Sequence, residues 1–291
     1  MPNALLSALF VLIWSSGFIV GRLIVGSVSP NIFLTLRFVL SALMFAAVAR
    51  FLGQRYPALR DWGKHFTVGL LCNGLYLGGS YWAIGEQMPA SLMALLGGLQ
   101  PLFTLAAGVL FLREKPDYRA LAGIAIGLLG LYLAVSPTLG NGSVSFGVLA
   151  VALLSVISIT AGMLLQKHWL GGAPVVPSLA LQNAAGALTA ALLALLLQEN
   201  VLHFNGAFAL GVFWAVCILS GLGVYLFVQL MNNAGAVKTT ALVLLAPPLA
   251  AVQAKLLFGE TLNTVQITGF ILALGGVWLC RQTGKTRPSE Q

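Results

Sequence analysis

The chain has 291 residues, of which 59% are hydrophobic and 8% charged, with a mean hydropathy of +0.95. Soluble domains carry about 25% charged residues, so water is not its main solvent, and ten apolar stretches of roughly 20 residues leave no room for a separate soluble domain. The net charge of +8 does not mark a nucleic-acid binder, because the basic residues sit between apolar runs rather than along one polar face.

Breaks at polar, charged and Gly/Pro-rich clusters predict helical spans over 3–24, 32–51, 66–85, 90–112, 119–136, 146–168, 178–197, 207–228, 236–258 and 264–281. Span 1 has no basic region ahead of it and outruns a signal-peptide core, so it is expected as a first helix and not as a cleaved leader. It carries Trp14, Ser15 and Ser16, with Trp14 too deep for the interfacial belt and suited to an aromatic wall or to core packing. Span 2 holds Arg37 a few residues from its outer end, where the side chain is expected to snorkel to the interface or pair with a carbonyl, a substrate carboxylate being the other possibility. Span 3 has Asn73, Tyr76 and Ser80 at helical spacing, then Tyr81 and Trp82 as belt or gate residues. Span 4 places Gln100 and Thr104 beside Pro101, span 6 offers Ser155, Ser158 and Gln166, and span 8 has Tyr225, Gln229 and Asn232. Span 9 contains Pro247-Pro248 and, near its end, Lys255, expected to pair locally with Glu260. Glu114 and Glu260 close spans 4 and 9 and are expected to cap the helix that follows each.

Basic loops are retained on the cytoplasmic side of a membrane. With the N-terminus inside, 12 of the 15 Lys and Arg residues fall in the inner set, and the loop Pro137–Ser145 carries no charge. Both termini are therefore expected in the cytoplasm.

An offset of 146 aligns Pro101 with Pro247, Glu114 with Glu260, Gly123 with Gly269, Gly130 with Gly276 and Tyr132 with Trp278. Earlier in the chain an offset of 145 aligns Gly17 with Gly162 and Arg22 with Lys167. A repeat of five spans is odd, so its second copy enters the membrane upside down. The expected fold is all-α, ten transmembrane helices in two inverted five-helix repeats, 1–137 and 138–282, around a central cavity, with a cytoplasmic tail over 283–291.

A proline inside a helix removes one backbone hydrogen bond and bends the helix. Matching interruptions in two halves point to a transporter's central site, so Pro101 and Pro247 mark the expected substrate region. The candidate substrate-binding set is Trp14, Ser15, Asn73, Tyr76, Ser80, Gln100, Ser158, Tyr225 and Gln229. Polar side chains in spans are costly toward lipid and turn inward, where an interhelical hydrogen bond competes with substrate contact as their role. No Asp or Glu lies centrally in any span, which argues against a buried carboxylate as proton carrier. Phosphate loops, zinc-protease motifs and nucleophile elbows are missing, and His65, His168 and His203 are scattered, so no enzyme, metal site or cofactor is expected. Cys72, Cys217 and Cys280 read as membrane-buried thiols.

The stretch Ile13-Trp14-Ser15-Ser16-Gly17-Phe18, the pair Arg37-Phe38, Pro101-Leu102-Phe103 followed by Phe111-Leu112-Arg113-Glu114, and the Gly123/Gly130 spacing resemble the drug/metabolite transporter superfamily, EamA-type branch. The second half repeats the pattern as Ala246-Pro247-Pro248 and Phe258-Gly259-Glu260, so the resemblance covers essentially the whole chain. It implies a bacterial inner-membrane protein with a cavity lined by spans 1, 3, 4, 6, 8 and 9, and it is nearest to bacterial exporters of aromatic and other neutral amino acids. The expected partners are a small-molecule substrate and the lipid bilayer, with no nucleic acid, in a monomer. Rival readings are export of a sugar, nucleotide derivative or lipophilic cation, and a non-transporting membrane scaffold.

Overall fold

The computed structural model describes residues 2–111, 118–140, 142, 144–234 and 242–283. Expectations for Arg113, Glu114, Lys115, Lys238, the start of span 9 and the tail after 283 fall outside these residues.

Helices account for nearly all of the described chain. The elements are α1 Pro2–Leu23, α2 Pro30–Phe51, α3 Trp62–Gly69, a π segment π1 Leu70–Leu75, α4 Tyr76–Gly85, α5 Ala90–Gly98, α6 Gln100–Phe111 and α7 Tyr118–Gly140. Then follow α8 Phe146–Leu170, α9 Val175–Leu196, α10 Gly206–Phe213, π2 Trp214–Gly223, α11 Val224–Ala234, α12 Ala246–Phe258 and α13 Thr264–Thr283. Among the described residues, 6 helical runs are long and apolar enough to cross a membrane. Shorter apolar helical stretches cover Ala90–Ala106 and Thr264–Cys280.

Helix ends follow local chemistry. Pro30 opens α2, where its missing N–H costs nothing, and Gly53 at φ 63° closes it in the left-handed conformation that glycine adopts freely. Ser145 and Asn205 cap α8 and α10 by accepting from Val148 and Phe208 N–H. Span 5 was expected to stop at 136, but α7 runs on to Gly140 with Pro137 inside it. Pro137 has no N–H to give the Leu133 carbonyl one turn earlier, and the Ser136 hydroxyl donates to it instead at 3.4 Å.

Packing is that of helices in lipid, with small residues inside and large ones out. In α9, Ala185, Gly186 and Ala190 are buried, while Leu188, Leu192 and Leu195 face outward. Where α7 meets α13 the backbones nearly touch. A Cβ on Gly123 would stand 2.8 Å from the Gly276 carbonyl, and one on Gly130 would stand 2.7 Å from that of Gly269. The reverse holds as well, with Gly269 and Gly276 pressed on the Gly130 and Gly123 carbonyls. Tyr132 and Trp278, also matched by the offset, both lie on exposed faces.

At one end of the bundle, where α1 finishes, two loops are stapled. Val28 and Leu202 form an isolated bridge, His203 N donates to Ser27 O at 2.7 Å, and Asn205 Nδ2 donates to Ser27 Oγ at 2.9 Å.

The contact between α7 and α13 makes a direct test. Backbone on the facing helix cannot yield, so Gly130→Val should lower stability in detergent by ~1–3 kcal/mol, read as a lower melting temperature. Gly275→Ala, on the same pair of helices but with open space before it, should leave melting unchanged or slightly raised.

Candidate functional site

The two proline positions are equivalent in detail. Leu99 separates α5 from α6 and Pro101 is the second residue of α6; Leu244 and Leu245 form a turn before α12, in which Pro247 is likewise second. Each proline thus opens a half-helix instead of bending a continuous one, as suits a residue that cannot donate but fits a first turn. The interruptions meet: a Cβ on Gly98 would come within 2.5 Å of Pro247 Cγ. Beside them, the Tyr76 hydroxyl and the Phe18 ring press on Gly97.

Asn73, Tyr76 and Ser80 do not share one face. The i→i+5 bonding of π1 inserts an extra residue into the turn and rotates everything after it. Asn73 therefore packs on Gly186 of α9, Tyr76 on Gly97 of α5, and Ser80 Oγ lies 3.3 Å from Ser155 Oγ of α8. Ser158, also on α8, donates to the Leu71 carbonyl inside π1 at 3.0 Å. Ser80 and Ser158 are thus partnered within the seam between α4, π1 and α8. Gln100 is half-buried at the start of α6, and its carbonyl accepts from the Thr104 hydroxyl at 3.0 Å.

On α1, Trp14 is 38% exposed and stands 6.0 Å from Phe227 of α11 and 5.4 Å from Phe10, forming an aromatic cluster. Ser15 is buried and accepts from Gln253 Nε2 of α12 at 3.1 Å. Of the α11 residues, Tyr225 is 58% exposed and Gln229 is half-buried; the Asn232 side chain lies outside the described residues. A cavity of about 370 Å³ lies at the stapled end and not between the interruptions; Gly21, Ile24, Tyr81, Trp82, Glu86 and Glu199 are among its lining residues.

Several polar residues play parts that spacing did not disclose. Gln253 bridges α12 to α1 and leaves its Oε1 buried without a partner, Trp214 Nε1 donates to Ser16 Oγ at 2.8 Å, and Ser41 donates to Ser220 at 3.1 Å. A lone Gln six residues past the second proline was the available signal for Gln253.

The expectations for Arg37 and Glu260 need correction, and the belt-or-gate alternative for Tyr81 narrows. Arg37 does not snorkel: it is 9% exposed and donates through Nη1 to Tyr81 Oη at 3.2 Å. Tyr81 is buried and donates to the Gly17 carbonyl at 2.8 Å, so it is not a belt residue. Glu260 neither pairs with Lys255 nor caps the next helix. It accepts from Ala90 N at 3.2 Å, Ser91 N at 3.4 Å and Ser91 Oγ at 3.0 Å, capping α5, and lies 4.0 Å from Arg22 Nε. The next helix, α13, is capped by its own box, in which Asn263 and Gln266 exchange side-chain and backbone bonds. Glu199 does for α2 what Glu260 does for α5, accepting from Asn31 N at 2.8 Å and Ile32 N at 3.2 Å.

A lipid-adapted helical bundle with two interrupted helices meeting at their breaks defines a membrane transporter. The chain belongs to the EamA-like transporter family, whose model matches residues 1–136 and 145–281. It is 25% identical over 292 residues, covering 95% of this chain and 94% of the relative, to a probable amino-acid metabolite efflux pump of Salmonella typhimurium. The Escherichia coli protein of that description is 23% identical, again over 95% and 94%. An uncharacterized inner membrane transporter of Escherichia coli, YedA, is 27% identical over 90% of this chain and 85% of its own. A crystal structure 19% identical in sequence has the same fold, with a TM-score of 0.66 over 97% of each chain. The chain is thus an integral membrane transporter of small metabolites.

Removing the Glu260 carboxylate uncaps α5 and leaves Arg22 without its counter-charge. Glu260→Ala should cost about 1 kcal/mol in detergent melting experiments, whereas Lys255→Ala should cost nothing measurable.

Proposed function

We propose that the protein exports amino acids, chiefly aromatic and other neutral ones, or similar small metabolites, by alternating access around the meeting point of α5/α6 and α12. The observation that carries this reading is the contact of Gly98 with Pro247. Two interrupted helices meet there, and helix interruption in a membrane is tolerated where the backbone meets protein or a water-filled cavity. That the Salmonella and Escherichia relatives are named as amino-acid metabolite efflux pumps supports an amino-acid substrate.

The reading includes ten transmembrane helices in two inverted repeats, with both termini cytoplasmic and the stapled end outside. Its support is that contacts recur when the halves are exchanged. The pairs α7 with α13 and α2 with α9 pack most broadly, each joining equivalent spans; α1 packs on α12 as α8 packs on α5 and α6. The glycine contacts recur in the same way, Gly123 on Gly276 and Gly130 on Gly269, as in an interface related to itself by a two-fold axis. An offset of 145 carries Leu70–Leu75 onto residues 215–220, inside π2.

In this mechanism Tyr76 offers a hydroxyl to the substrate beside the interruptions, Gln100 and Gln229 offer amides, and the cluster of Trp14, Phe10 and Phe227 takes its apolar side chain. Ser15, through Gln253, and Tyr225 adjoin this space, while Asn73, Ser80 and Ser158 serve the interhelical seams beside it. Purified protein in liposomes should move labelled phenylalanine, leucine or alanine faster than empty liposomes do. Tyr76→Ala and Gln229→Ala should each slow flux about 3- to 10-fold at unchanged melting temperature, the effect of one lost hydrogen bond. Movement of sugars or organic cations with no amino acid moved would refute the substrate class.

A further inference from the structure

Arg37 is a buried cation with no counter-ion among the described residues. Guanidinium stays charged in proteins, and an ionisable group inside a membrane span is expensive enough to mark a functional position. Two groups moderate its charge: the Tyr81 hydroxyl oxygen, 3.2 Å from Nη1, and the Phe38 ring, whose centroid lies 5.7 Å from Cζ. Among the described residues no carboxylate forms an ion pair with it, and its buried Nε has no hydrogen-bond partner.

Tyr81 orients what remains. Its hydroxyl gives its proton to the Gly17 carbonyl and so presents only lone pairs to Nη1. That bond uses the nitrogen on the Cδ side of the guanidinium, leaving Nε–H on the other edge beside Nη2. Those two donors form the parallel fork that a carboxylate takes in bidentate fashion. The buried neighbours Phe33 and Phe38, with Phe33 stacked on Tyr81 at 6.0 Å, suit an apolar or aromatic body attached to that carboxylate.

Tyr81 also lies between Arg37 and the stapled end. Its ring passes Gly21, where a Cβ would be 3.5 Å from Cδ2 and Cε2, and its hydroxyl reaches Gly17 one turn deeper. The same ring lines the 370 Å³ cavity. Swinging the ring into that cavity would uncover Arg37 from the outside.

We propose that Arg37 is the carboxylate anchor of the transport path, covered by Tyr81 in this conformation and engaging the carboxylate of an apolar substrate when Tyr81 swings aside. This deepens the exporter reading and rests on it for the substrate's body, whereas the anchor itself requires only a monocarboxylate. Arg37 is then a specificity-determining residue that separates an amino acid from its amide.

The test measures binding to the purified full-length protein by thermal shift and calorimetry, using L-phenylalanine, L-phenylalaninamide, benzoate and benzamide. The wild type should bind each carboxylate about 10- to 100-fold more tightly than its amide, as loss of a charge-assisted pair implies. Arg37→Gln should abolish the preference while leaving amide affinity unchanged, and Arg37→Lys, which keeps charge but not the fork, should restore part of it. Should Arg37→Gln fail to fold, Arg37→Lys alone decides: an undiminished preference in it overturns the proposal. Equal affinity of carboxylate and amide in the wild type, or a preference that survives Arg37→Gln, also overturns it. Binding of benzoate without phenylalanine would keep the anchor and remove the amino-acid reading. Phenylalanine bound with its preference intact in Arg37→Gln would do the reverse.

Discussion

Hydrocarbon offers the backbone nothing to bond with, and every N–H and C=O in the membrane must find its partner within the chain. Regular helices meet this demand by themselves; a departure from regularity shifts or removes some of those bonds. The structure answers such departures with hydroxyls. Ser158 reaches across from α8 to the Leu71 carbonyl in π1, Ser220 bonds the Ala215 carbonyl within π2, and Ser136 serves the carbonyl that Pro137 abandons. Irregular turns, which let side chains change face along one helix, are thereby made compatible with lipid.

Close backbone contact does for the bundle what hydroxyls do for its bends. Lipid tails are as apolar as leucine, so helices gain little from burying leucine against leucine and associate instead where glycine lets them approach. The reciprocal contacts of Gly123, Gly130, Gly269 and Gly276 make α7 and α13 a single rigid unit. The seams of α4 and π1 with α8, and of α1 with π2, are lined by hydroxyls and indole nitrogen bonded in pairs.

How much of this could be read from the sequence depended on the range over which each signal acts. Proline and glycine dictate local geometry, so the positions of Pro101 and Pro247 and the glycines of spans 5 and 10 were legible, although the prolines open half-helices where bends were expected. The stripe Asn73, Tyr76, Ser80 was legible as polar residues at helical spacing, but the spacing presumes 3.6 residues per turn and π1 breaks that period between them. Capping fails for a different reason. Glu260 serves Ala90 and Ser91, some 170 positions earlier, because the chain returns to the same end of the bundle after several crossings, and nothing in local sequence reports which helix stands beside it. Arg37 was misjudged because its depth was measured from the end of its own helix, whereas burial is set by Tyr81 and Phe33 from neighbouring turns and helices.

Glu199 and Glu260 differ in kind from the serine bonds. Both hold helix starts at the stapled end, and the groups they serve belong to buried residues, Ala90, Ser91 and Asn31, which each carboxylate keeps from being left without an acceptor. Ser158 instead adds a second donor to a Leu71 carbonyl that already accepts from Tyr76 N–H. The molecule therefore contains two grades of fastening, one that reinforces a carbonyl the backbone already serves and one that supplies an acceptor to amides at buried helix starts. The second grade ties distant parts of the sequence together at one end of the bundle, joining the loops after α9 and α12 to the starts of α2 and α5.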